Sequence, residues 1–153
     1  MNAAEKTEAL ALLNQILEQE LAGVVRYTHY SFLVFGHSRI PIVSWLRDQA
    51  AESLLHAQQA GEMITHLGAY PSLGIGELLD SHQTDIAAML RESLETELQA
   101  LKLYKALLRL VEGKSVLIEE YARQMVYAEE LHAGEVDKML RRPGEVGAAA
   151  SLS

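Results

Sequence analysis

Four stretches of the chain repeat apolar residues at steps of three and four, the spacing of one face of an α-helix. The first runs through Leu10, Leu13, Leu17, Glu20, Val24, Tyr27, Ser31 and Val34. The second follows Ile42, Trp45, Gln49, Ser53, His56, Ala60, Met63 and Leu67. The third takes in Leu90, Leu94, Glu97, Leu101, Tyr104 and Leu108, and the fourth Ile118, Ala122, Met125, Glu129, His132, Val136 and Met139. The breaks between them are legible. Residues 36–40 separate the first two, with Pro41 suited to a first helical turn. Gly113, Lys114 and Ser115 separate the last two, and Asp80 with Gln83 resembles a capping box ahead of the third. Arg141, Arg142, Pro143 and Gly144 stop the fourth, which predicts a domain over 1–142 and a flexible tail over 143–153. The longest connection, roughly 68–79, holds Pro71, Gly74 and Gly76. Extended, its dozen residues reach about 40 Å, the length of a helix of about 27 residues. The predicted fold is all-α: a four-helix bundle of two helical hairpins joined by one long crossover.

Composition removes several kinds of chemistry from that bundle. A chain of 153 residues suffices for one domain with a real core. It has no cysteine, which excludes disulfides, thiolate metal sites and thiol catalysis. A net charge of -8 and the lack of any Lys/Arg-rich arm speak against binding nucleic acid. The first seven residues lack the form of a signal peptide, and no apolar run approaches the roughly 20 residues of a membrane span. A soluble, cytoplasmic protein without membrane contact is the expectation.

The polar residues inside the apolar stripes carry the chemistry. Glu97 is followed by Glu129 and His132, an E-x-x-H, and 77 residues earlier Glu20 is followed by Ser53 and His56. The echo extends to Glu20-Leu21 with Tyr27 and Glu97-Leu98 with Tyr104, and to Leu55-His56-Ala57 against Leu131-His132-Ala133. Residues three apart on a helix diverge by about 60°, so Glu129 and His132 can address one point. Glu97 precedes Gly113 by 16 residues, and Glu129 to His132 follow Ser115 by 14 to 17. In the first half, Glu20 precedes Gly36 by 16 and Ser53 to His56 follow Ile40 by 13 to 16. All of these groups therefore fall in one layer at mid-bundle.

Taken singly, each has an ordinary reading: a glutamate is usually solvated, and a core histidine is usually hydrogen-bonded. Together, three buried carboxylates and two imidazoles require compensation, because an unpaired buried charge costs several kcal/mol. Two divalent cations would supply it. Carboxylate and imidazole without sulfur suit iron, manganese or zinc, and carboxylate bridging suits iron or manganese best.

At this point the sequence resembles the ferritin-like superfamily, and bacterioferritin in particular, over residues 8–141. The resemblance rests on Glu20-Leu21 with Tyr27, the helix of His56-Ala57, Met89-Leu90-Arg91 with 94–98, Glu129-Glu130-x-His132, and the loop 68–73. It implies that Glu20 and Glu97 are terminal ligands, His56 and His132 nitrogen ligands, and Glu129 a bridging carboxylate of a di-iron site. Tyr27 matches a tyrosine close to the family's metal centre. The implied activity is oxidation of ferrous iron by oxygen or peroxide, with storage in a homo-oligomeric cage. The chain departs from the family in three places. Ser53 stands where a second bridging glutamate is usual, so the position beside His56 should be the weaker one and that beside Glu97 and His132 the normal one. Leu54 replaces the haem-ligating methionine, so haem is not expected. The fifth helix is not evident after Pro143. Asp48 and Glu52, four residues apart, have three readings: an inner-surface iron site, a Glu52 that swings in to replace the missing ligand, or a solvated acidic pair. A di-iron or manganese redox enzyme without storage, an impaired subunit co-assembling with an intact paralogue, and a mini-ferritin remain alternative functions.

Overall fold

The computed structural model describes residues 1–149, which form α1 (Ala3–Phe32), α2 (Arg39–His66), α3 (Ile86–Val111) and α4 (Val116–Leu140). Each apolar stripe read from the sequence lies on one of these helices, except that Val34 and Leu67 fall just beyond the ends of α1 and α2. Asn2 caps α1 in a reciprocal box with Glu5. Ser115 caps α4 by accepting from the Ile118 amide. The start of α3 corrects the sequence reading. Asp85, not Asp80, is its N-cap and accepts from the Ala88 amide, while the Gln83 amide group donates to Glu92. The connection thus spans 67–85 and is longer than its apolar pattern suggested, because the first helical hydrogen bond of α3 is accepted by the Asp85 carbonyl. Of the expected tail, 143–149 carry only turns and bends, including the turn that bonds the Glu145 amide to the Arg142 carbonyl. Residues 150–153 lie outside the described residues.

Cross-helix pairs fix the helix directions. Tyr27 reaches Glu97 and Tyr104 reaches Glu20, so α1 and α3 are antiparallel. His56 faces Glu20 and Arg47 reaches Ser31, so α1 and α2 are antiparallel as well. It follows that α2 and α3 run parallel and the crossover traverses the bundle. It does so along α1: the Ser72 amide donates to Asn14 Oδ1, Ser72 Oγ to Glu18 Oε1, and the Gly76 amide to the Glu18 carbonyl at 2.8 Å. A Cβ on Gly76 would meet that carbonyl oxygen at 2.9 Å and Gln19 Cα at 3.2 Å. Gly76→Ala should therefore lower stability by about 1–3 kcal/mol, read as a lower denaturant midpoint at unchanged slope. No loss would mean that the crossover does not hug α1.

The core divides in two. One apolar cluster gathers Leu13, Ile16, Ile64, Leu107, Ile118 and their neighbours. At the other end, Tyr27, Tyr30, Val43, Leu46 and Met89 form a second, and Leu90, Leu94 and Val136 a third. Each large buried side chain contributes roughly 1.5–3 kcal/mol, so the two ends hold the bundle and the polar layer between them is free to carry chemistry. No described helix is long and apolar enough to cross a membrane.

Candidate metal centre

Between these clusters the polar residues meet from all four helices. Glu129 is 2 %, Glu20 4 % and His56 8 % exposed, so three ionisable groups share one desolvated spot. His56 Nδ1 lies 3.0 Å from Glu129 Oε1 and 3.6 Å from Glu20 Oε2. One ligand atom from each of Glu20, His56 and Glu129 falls within 4.8 Å of the others, the only such metal-ligand cluster among the described residues. The Tyr104 hydroxyl donates to Glu20 Oε1 at 3.0 Å and orients that carboxylate.

The second half of the layer is arranged differently. Glu97 Oε1 and His132 Nε2 are 3.7 Å apart, and Tyr27 meets both. Its hydroxyl donates to Glu97 Oε1 at 2.8 Å and lies 3.2 Å from His132 Nε2. Trp45 stacks on the His132 ring, with centroids 6.3 Å apart and planes 13° from parallel. The sequence suggested a normal position beside Glu97 and His132. Without metal, the compact three-ligand cluster lies on the Ser53 side, and the Tyr27 hydroxyl meets both ligands expected on the other. Removing the Tyr27 hydroxyl leaves a buried carboxyl without its donor. Tyr27→Phe should therefore cost about 1–3 kcal/mol in chemical denaturation, whereas Tyr70→Phe, at an exposed ring, should cost nothing measurable.

Electrostatics show what the layer lacks. Burial, reinforced by the Glu129 charge, lifts Glu97 to about 8. Burial likewise raises Glu20, against hydrogen bonding from His56. Burial pulls the His56 imidazole down, but the carboxylates of Glu129 and Glu20 outweigh it and hold the group up at about 10. The protein without metal thus gathers protons where it needs positive charge. Glu129 Oε2, moreover, is buried with no hydrogen-bond partner. A divalent cation fits this donor set: it would satisfy the orphaned oxygen and replace the protons with a charge that oxygen and nitrogen ligands favour.

The remaining sequence candidates sit apart from that cluster. Ser53 is buried, and a Cβ on Gly23 would lie 2.9 Å from its Oγ, so α1 and α2 approach closely there. A gap of about 10 Å³ beside it, lined by Gln49, Glu52 and ligands of both halves, has the volume of about one water molecule. Glu52 Oε1 lies 3.6 Å from His56 Nε2, the ring nitrogen facing away from Glu20 and Glu129. Asp48 is exposed in an open depression with Arg39 and Arg47. Sequence reasoning missed Trp45 as a wall for His132 and Gly23 as the neighbour of Ser53. A tryptophan within the second polar stripe was the one available signal.

Comparison with known proteins gives the bundle its relatives. A ferritin-like diiron-carboxylate protein from Bacillus anthracis str. Ames superposes with a TM-score of 0.84 at 21% identity, covering 92% of this chain and 100% of that one. A dodecameric thioferritin, the bacterioferritin-related protein of Bacteroides fragilis, gives 0.79 at 20% identity over 88% and 85% of the two chains. Rhodobacter capsulatus bacterioferritin, solved with a metal-free dinuclear site, gives 0.77 at 19% identity over 88% and 84%. No curated protein sequence matches significantly. The family model of the ferritin-like domain, in contrast, matches residues 10–143, a span that includes every ligand candidate in the central layer. With four antiparallel-paired helices, a traversing crossover and a buried Glu/His/Glu cluster, the chain belongs to the ferritin-like domain family.

Proposed function

We propose that the protein takes up ferrous iron as substrate at this centre, oxidises it with dioxygen or peroxide, and retains the product inside a homo-oligomeric cage. One observation carries the reading: the orphaned Glu129 Oε2, in a carboxylate that also meets His56 and whose charge lifts Glu97. A carboxylate so placed suits a bridge between two cations. Glu20, His56 and Glu129 would hold one ion, and Glu97 and His132 the other, with Glu129 shared. Each ferrous ion gives up one electron, and two together reduce dioxygen to peroxide or peroxide to water. Tyr104 and Tyr27 orient the terminal carboxylates by hydrogen bonds, and Tyr27 is the group nearest to both ligands of the second position. Manganese and zinc suit the same donors and should compete with iron.

Assembly is supported by exposed apolar side chains, among them Phe35, Leu54, Leu55, Leu117 and Leu131, which a second copy would cover. Dodecameric assembly in the related Bacteroides protein points the same way. We place the protein in the cytoplasm, where ferrous iron is kept reduced. Ferrous iron added to the purified protein in air, with native mass measured in parallel, tests the proposal. The expected result is oxidation well above the buffer rate, about two ions per subunit in the first turnover, and a particle of many subunits. A one- or two-subunit particle with intact oxidation would leave a di-metal redox enzyme without storage. No oxidation above buffer would sink the proposal.

A further inference from the structure

A second site lies outside the metal centre. The outer side of α1, the crossover and α3 enclose a cavity of about 150 Å³ that shares no lining residue with the central cluster. Its wall includes Arg26, a residue only 7 % exposed. Arg26 Nε is buried without a hydrogen-bond partner. A buried donor left without an acceptor is destabilising. Glu92 acts on Arg26 through space, yet its carboxylate is already engaged. Glu92 Oε1 accepts from Tyr30 and Ser81, and Oε2 from Gln83. The Nε–H of Arg26 is therefore left for something that enters the cavity.

The rest of the lining narrows what that is. Val25, Leu78 and Leu79 make an apolar wall, and the His29–His82 pair, 3.1 Å apart, closes one side. A guanidinium presents two parallel N–H groups that match a planar carboxylate. The Glu92 charge disfavours a doubly charged tetrahedral anion. A cavity near 150 Å³ accepts a ligand of about six heavy atoms, the size of benzene. We propose that this cavity binds a small aliphatic monocarboxylate, its carboxylate on Arg26 and its hydrocarbon against Val25, Leu78 and Leu79.

Titration of the full chain with sodium butyrate at constant ionic strength, followed by amide chemical shifts, tests the inference. Butyrate should bind saturably with a Kd of about 1 mM, butyramide at least about tenfold more weakly, and phosphate should not compete. Arg26→Met keeps the stem and removes the charge, a change that burial makes neutral or stabilising. It should weaken butyrate binding at least about tenfold. Leu79→Trp, at a half-exposed position on the cavity mouth, should do the same with no burden on folding. Both variants should keep the wild-type thermal response to divalent metal, so failure here is separable from failure of the iron reading. Equal responses to butyrate and butyramide, unchanged binding in Leu79→Trp, phosphate binding tighter than butyrate, or no binding of butyrate at all would each overturn the proposal.

Discussion

Glu129→Gln is expected to abolish the response of this protein to divalent metal while leaving it folded. A ligand at a hundred times its Kd stabilises the native state by about 2.7 kcal/mol. For a chain of this size, each kcal/mol moves Tm by about 2–4 °C, so manganese or zinc should raise the wild-type Tm by about 5–10 °C. Glutamine keeps the shape of residue 129 but cannot offer an anionic bridge, and that residue serves both halves of the layer. The substitution should not unfold the protein without metal. It removes the anionic partner of His56, but it also removes the charge that pushes Glu97 up, and the two effects oppose each other. Calorimetry with and without metal reads the result directly. A wild-type shift in the variant would place the bound ion elsewhere.

The sequence reached this site because its ligands interrupt apolar stripes, and because distances from the turns put Glu20, His56, Glu97, Glu129 and His132 at one height. Helix periodicity and loop length made the bundle and its crossover legible too. The α3 cap was not legible: Asp80 and Gln83 have the right residue types, but Asp85 is the one adjacent to the first helical turn. The convergence of Glu20, His56 and Glu129 was not legible either, because hydrogen bonding decides which groups meet. Tyr104 pulls only on Glu20, so Glu20 stays near His56 and Glu129. Tyr27 meets both Glu97 and His132 and ties them to each other rather than to the cluster. Two tyrosines seven residues after a glutamate look identical in sequence, and their different reach is a product of helix packing.

Ser53→Glu should produce the largest change in either direction, depending on metal. Ser53 is buried, Gly23 is packed against it, and the gap beside it holds about 10 Å³. A glutamate therefore overfills the layer and adds a fourth carboxylate to Glu20, Glu97 and Glu129. An uncompensated buried charge costs about 3–5 kcal/mol, so the metal-free variant should lose roughly 6–20 °C of Tm at about 2–4 °C per kcal/mol. With manganese or zinc bound, the same carboxylate becomes a second bridge. The deficit should then vanish, and the metal-induced shift should exceed that of the wild type. Ser53→Gln separates charge from bulk: it overfills the gap without adding an anion, so it should lower Tm alike in the absence and presence of metal. If glutamate and glutamine behave the same, residue 53 does not belong to the metal layer. If only glutamate is rescued, its position completes a site that this chain carries in reduced form.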